Sequence, residues 1–217
     1  SGRLIAMPAE RIHLIRHGEV HNPDGVLYGR LPHYSLSAKG HEMAATAAAA
    51  LKADRRPISA LYASPLLRTR ESAEHVQEAF GLDVVTDERL IEPHNVFEGR
   101  RLTGGHILVR PHLYFHLRNP MQPSWGEPYV QIAGRMMAAI TDAWEKAPDG
   151  DVVLVSHQLP IVMVQRALAG ESLAHNPKKR RCALSSITTL ERQGNRFVEV
   201  DYRDPAAGAG AIDLGAV

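Results

Sequence analysis

The strongest constraint on the fold is a short apolar run that stops at a cluster of polar groups: Ile12-His13-Leu14-Ile15 leads straight into Arg16-His17-Gly18-Glu19. Such a run, bounded by such a break, reads as a buried strand whose end carries a site. Two later stretches repeat the form. Ile58–Ala63 runs into Ser64-Pro65-Leu66-Leu67-Arg68, and Asp151–Ser156 (D-V-V-L-V-S) runs into His157. In open α/β folds, ligands bind beyond the carboxyl ends of parallel strands. Three such ends, if neighbours, bring two histidines and two arginines to one rim of a sheet.

Helical stretches separate these strands. An Ala-rich segment reaching about Ala53 follows Ser37, a residue suited to cap a helix, and Gly40 near its start is tolerated at some cost. Leu66 to Phe80 reads as a helix stopped by Gly81, and Leu82 to Thr86 as a short strand. Tyr129 to Lys146 and the residues from His157 to Ala169 give two more helices, with Pro148-Asp149-Gly150 as the turn between the third helix and the late strand. Ser186–Glu191 and Arg196–Tyr202 flank Gln193-Gly194-Asn195 as a hairpin. The alternation predicts the α/β class, a three-layer α/β/α sandwich with a mostly parallel central sheet, and one domain over residues 1–217. The pattern lapses over 93–128, where five prolines fall, and this stretch reads as a lid excursion that sets specificity. The Ala-Gly alternation after Asp204 reads as a mobile tail, 204–217.

An imidazole beside a guanidinium suits phosphate chemistry, since one group can attack while the other holds an anion by its planar fork. The motifs taken together resemble the histidine phosphatase superfamily, which includes the phosphoglycerate mutase-like enzymes. Residues 11–30 resemble the family's opening R-H-G-E with an asparagine shortly after, here Asn22. Leu36-Ser37-Ala38-Lys39-Gly40 resembles its L-S-x-x-G helix entry. Ser64 to Ala73 resembles S-P-L-x-R-A-x-x-T-A, with Thr69 and Ser72 as departures. Leu90-Ile91-Glu92 with Phe97-Glu98-Gly99 resembles L-x-E followed by W-E-G, and Val155-Ser156-His157 resembles V-S/T-H. These pieces cover most of residues 11–170 in the family's order.

The resemblance implies a phosphoglycerate mutase-like fold and a phosphohistidine mechanism. His17 is the implied nucleophile, and Arg16, Arg68 and a protonated His157 the implied charge around the phosphate. Glu92 is the implied proton donor. Asn22 and the backbone amide of Gln158 are further implied phosphate donors. Two arginines and a protonated histidine offset a phosphate of about −2, so no metal and no cofactor is implied. Val20 stands where many relatives carry a hydroxyl, and Gln158 where a glycine is common. Pro93 and a short spacing to Phe97-Glu98-Gly99 keep Glu98 open as an alternative proton donor.

A metal-independent phosphatase acting on a small phosphorylated metabolite is the expected activity. A phosphoglycerate mutase and a non-catalytic phospho-ligand-binding protein are the rivals. A net charge of +1 argues against nucleic-acid or membrane partners. One cysteine, Cys182, together with the lack of a membrane-length apolar run and of a secretory signal's apolar core, makes a cytoplasmic location the expectation. A homodimer is compatible with this fold and not required by it. Trp125 reads equally as a group packing on substrate or as a cap on the next helix. His112 and His116 read as lid or surface residues ahead of metal ligands, and Lys178-Lys179-Arg180-Arg181 as a solvated loop ahead of an anion-attracting one.

Overall fold

A computed structural model describes residues 10–95, 98–99, 126–147 and 149–216. Among them are six strands: β1 Arg11–Arg16, β2 Ile58–Ala63, β3 Val84–Thr86, β4 Asp151–Ser156, β5 Ile187–Gln193 and β6 Arg196–Arg203. They form one sheet in the order β3-β2-β4-β1-β5-β6. The first four of that order are parallel, while β5 runs antiparallel to β1 and β6 antiparallel to β5. The helices are α1 Ala38–Ala53, α2 Leu67–Phe80, α3 Tyr129–Lys146 and α4 Gln158–Leu168.

The layering follows from the two-residue period of a strand. Ile12, Leu14, Val152 and Leu154 pack with Ile132, Met136 and Ile140 of α3 and Ile161 and Val164 of α4. Ile15, Val153 and Val155 fall on the opposite face, with Ala47 and Leu51 of α1 and Ala73 and Val76 of α2. β4 is buried at all six positions, which is why its sequence is a continuous apolar run. Each Val, Leu or Ile so buried contributes roughly 1.5–3 kcal/mol. This is the mostly parallel three-layer sandwich that the alternation of elements predicts.

Register sets the site. Arg16 lies opposite Ser156, and Ala63 opposite Val155. The next residues along the three chains, His17, Ser64 and His157, therefore emerge together at one rim. The other end of the sheet holds a buried polar cluster instead. His13 there bonds Thr189 and Asp151, each at 2.9 Å, and Arg56 clamps the same Asp151 at 2.8 and 3.0 Å. Burial pushes the Asp151 carboxyl up, but hydrogen bonds from His13 and Arg56 outweigh it and hold the group below its ordinary value.

Local sequence accounts for the helix ends. The Ser37 hydroxyl accepts from Gly40 N at 3.0 Å, and Gly81 closes α2 with a φ of 66°. Gly40 has a second role that propensity does not reveal. A Cβ on it would lie 2.0 Å from Glu19 O, and one on Gly18 would lie 2.3 Å from Gly40 O. The loop after β1 is thus pressed onto the first turn of α1, with Ser37 Oγ donating to Glu19 Oε1 at 2.6 Å.

The tail expectation meets a different arrangement. Ile212 N donates to Glu19 Oε2 at 2.7 Å and Tyr28 N donates to Gly215 O at 3.0 Å, so residues 212–216 lie against the loop that follows β1. Their order is set by partners far away in the sequence, which an Ala-Gly pattern cannot display. Among the described residues no helix is long and apolar enough to cross a membrane.

The close approach at Gly40 gives a test. Gly40→Ala should lower stability by about 1–3 kcal/mol, although alanine is the better helix former. The midpoint of urea unfolding measures this, and a midpoint shifted upward would contradict the steric account.

Candidate active site

His17 stands just beyond β1 and is fully buried. Its Nδ1 lies 2.8 Å from Gly18 O, a carbonyl that can only accept, so Nδ1 carries the proton and Nε2 carries the lone pair. Nε2 has no hydrogen-bond partner in the protein. Burial first, then the charges of Arg68 and Arg16, hold the imidazole well below its ordinary value of 6.5. At neutral pH His17 is an uncharged base with its reactive nitrogen open.

Two guanidinium groups flank it. Arg16, the last residue of β1, donates from Nη1 to Cys182 O at 2.8 Å and to Asp213 Oδ2 at 2.6 Å, and from Nη2 to Asp213 Oδ1 at 2.6 Å. Arg68, in the first turn of α2, donates from Nη2 to Gly29 O at 2.6 Å and lies over the Tyr28 ring at 4.4 Å. Both side chains are buried, and in both the Nε is without a partner.

Glu92 and His157 close the other side. Glu92 Oε2 lies 3.6 Å from Arg68 Nη2 and 3.6 Å from His157 Nδ1. Neither Glu92 oxygen accepts a hydrogen bond, and burial, opposed first by Arg68 and then by Arg16, pushes its carboxyl up to about 7. His157 Nε2 bonds Ser64 Oγ at 2.8 Å, and its Nδ1 faces Glu92. A positive charge on His157, which the sequence reading assumes, does not fit these neighbours. Burial, followed by Arg68 and His17, holds it well below 6.5, so it is a neutral imidazole here. The rings of His17 and His157 meet edge-on, with centroids 5.4 Å apart. Buried donors without partners, a neutral imidazole with an open nitrogen and a carboxyl raised to about 7 are chemistry suited to a tetrahedral anion.

Residues 12–205 match the histidine phosphatase superfamily (branch 1). The chain belongs to this family. It is 50% identical over 203 residues to the uncharacterized protein Rv0525 of Mycobacterium tuberculosis, covering 93% of this chain and 100% of that one. It is 29% identical over 190 residues to the probable phosphoglycerate mutase GpmB of Escherichia fergusonii, with 84% and 86% covered. Among solved structures it is similar to the mycobacterial glucosyl-3-phosphoglycerate phosphatase Rv2419c, with a TM-score of 0.70 and 27% identity. That likeness covers 88% of this chain and 97% of the other.

Within this member of the histidine phosphatase superfamily, the other residues singled out in the sequence separate into those at the rim and those beside it. Glu98 is a clamp between loops. Its Oε1 accepts from Arg30 N and from Asn95 N, each at 3.1 Å, which leaves Glu92 as the carboxyl next to His157 and Arg68. The Asn22 amide is spent within its own loop and on the tail, donating to Val26 O at 2.9 Å and Leu214 O at 3.3 Å. That differs from the phosphate contact expected of it. The Gln158 side chain accepts from Arg180 at 3.1 Å and reaches Cys182 O at 3.5 Å, while its backbone starts α4. Trp125, Phe97, His112 and His116 lie outside the described residues.

Two participants and one contact escaped the sequence reading. Ser64 sits in a recognised motif, yet its bond to His157 appears only when β2 and β4 are paired. Arg180 belongs to the basic run read as solvated, but it is half-buried and lines a cavity of about 310 Å³ with His94, Asn95, Tyr129 and Gln158. Asp213, on the presumed mobile tail, holds Arg16.

The environment of Glu92 has a pH signature. Its folded value, about 7, lies above its ordinary 4.5, so rising pH across that window strips the proton from the unfolded chain while the native state retains it. The cost is complete above pH 7 and absent below about 4.5. Glu92→Gln should therefore stabilise the fold at pH 8, by on the order of 3 kcal/mol, with the gain shrinking toward pH 5. Denaturant unfolding at several pH values measures it, and a gain that does not change with pH would refute the burial argument.

Proposed function

We propose that this protein is a phosphatase that hydrolyses small phosphomonoesters through a phosphohistidine on His17. The observation that carries the reading is His17 Nε2: buried, unprotonated, without a partner, and flanked by the two buried arginines. In the first step Nε2 attacks phosphorus and the bond from phosphorus to the alcohol oxygen breaks. Charge spreading over the phosphoryl oxygens is met by Arg16 and Arg68, and by an N–H from His157 Nδ1 in the tautomer where Ser64 donates to Nε2. Glu92, protonated up to about pH 7, gives its proton to the departing alkoxide. In the second step the Glu92 carboxylate takes a proton from water, whose oxygen attacks the phosphohistidine. Orthophosphate leaves, and His17 and Glu92 return to their starting forms. The two guanidinium groups supply positive charge of the kind that metal ions provide in other phosphatases.

The mutase alternative uses the same first step and differs only in the acceptor, which is a second substrate oxygen instead of water. Hydrolysis is favoured because a mutase must hold a bisphosphate and exclude water, and the stretch 93–128 is short for that task. A phosphoenzyme is the common test of both against a mere binder. Rapid base quench with labelled substrate should trap phosphate on the wild-type chain, base-stable and acid-labile as a phosphohistidine is, and none on His17→Ala. Chelator-resistant release of orthophosphate then marks the phosphatase, isomerisation without release the mutase, and neither signal a binding protein.

For the substrate we infer an alcohol portion that carries a carboxylate or second anion. Phosphoglycerate and glucosyl-3-phosphoglycerate, named in two relatives, each join a phosphate to a carboxylate. Arg180 lines a cavity together with Pro93, the residue after Glu92, and is among the charges that pull the Glu92 carboxyl down. Arg180→Gln should raise KM for 3-phosphoglycerate roughly tenfold while leaving p-nitrophenyl phosphate nearly unchanged. Equal effects on both would remove Arg180 from substrate selection.

A further inference from the structure

We propose that Asp213 is a positioning residue that turns the Arg16 guanidinium so that one edge of it faces the phosphate. This rests on the phosphatase reading of the site. A guanidinium has five N–H groups: two on each Nη and one on Nε. Nη1 spends both of its own, on Cys182 O at 2.8 Å and Asp213 Oδ2 at 2.6 Å. Nη2 spends one on Asp213 Oδ1 at 2.6 Å. What remains is the Nε–H and the second Nη2–H. These two lie on the same edge of the plane, parallel to each other, and match two oxygens of a phosphate. The buried Nε has no partner in the protein.

The carboxylate that does this is itself held. Ile212 N, one residue before it, donates to Glu19 Oε2 at 2.7 Å, and Leu214 O, one residue after it, accepts from Asn22 Nδ2 at 3.3 Å. Gly215 is seated so closely that a Cβ would fall 2.5 Å from Val26 O. The Asp213 side chain is 42% exposed while Arg16 is fully buried, so the carboxylate keeps part of its hydration as it pins the cation. A guanidinium on a long side chain has several rotations open to it. A bidentate partner at its tip, with Cys182 O beside it, leaves one.

Replacement of one carboxylate oxygen by an amide nitrogen would put a donor against an Arg16 N–H. The experiment compares wild type, Asp213→Asn and Asp213→Glu by calorimetric titration with orthophosphate and by steady-state kinetics on aryl and alkyl phosphates. Asp213→Asn should weaken orthophosphate binding and lower kcat/KM roughly ten- to a hundredfold, by the same factor for every leaving group, since Arg16 touches the phosphoryl group alone. Asp213→Glu, which keeps the two-oxygen fork, should recover most of both. The same binding and kcat/KM in Asp213→Asn as in wild type would overturn the proposal. So would tighter orthophosphate binding, which would make Asp213 a competitor of the phosphate. A loss that Asp213→Glu does not recover, or one tracking a lowered unfolding temperature, would reduce Asp213 to a structural contact. A wild-type chain that neither binds orthophosphate nor turns over would fail at the phosphatase reading itself, before Asp213 is at issue.

Discussion

Two guanidinium groups buried at the ends of the sheet's parallel strands are the condition on which the rest of this site depends. Removing a charge from water is costly unless hydrogen bonds and a counter-charge compensate, and the surrounding structure is arranged to supply them. Arg16 has Asp213 and Cys182 O, while Arg68 has Gly29 O, the face of Tyr28 and the nearby Glu92. The unusual protonation of the neighbours follows. With both cations close and no solvent around it, His17 is kept neutral and therefore nucleophilic. Glu92 is subject to opposing effects, burial raising its carboxyl and the same two cations lowering it. Burial prevails by enough to leave it near neutrality. One environment thus produces a base without a proton beside an acid that retains one, the separation of roles that the proposed two-step phosphoryl transfer needs.

Precision in that environment comes from elements that carry no chemistry. Gly18 and Gly40 let the loop after β1 touch the start of α1. Glu19 then joins three parts of the chain, bonding the cap residue Ser37 through one oxygen and the backbone of Ile212 through the other. Ser72 Oγ accepts from Gly18 N at 3.1 Å and ties the same loop to α2. A family motif such as R-H-G-E is therefore half chemistry and half fastening. Arg16 and His17 supply the groups proposed to meet phosphate, whereas Gly18 and Glu19 fix where they stand.

The departures from expectation have a common cause. Asn22, Arg180 and Asp213 lie in loops or at a chain end, where no periodicity constrains the side chain and its partner is distant in sequence. Arg180 meets Gln158 across 22 residues, and Asp213 meets Arg16 across 197. Nothing local distinguishes an arginine in a basic run that turns inward from its neighbours that stay in water. Burial decides it, and burial belongs to the packed chain.

The sequence by itself determined the elements and the order of the chemistry. Apolar runs of strand length fixed β1, β2 and β4, caps such as Ser37 and Gly81 fixed helix ends, and the polar groups stopping each strand marked His17, Ser64, Arg68 and His157 as rim residues. Local preference is enough for this, because period, propensity and capping act within a few residues. Only the tertiary structure decided which carboxyl faces the histidines, that His157 is uncharged, and that the end of the chain returns to grip Arg16. Those outcomes depend on strand register, on the exclusion of water, and on contacts between residues far apart in the chain. Each is a property of the assembled fold that no short stretch of sequence contains.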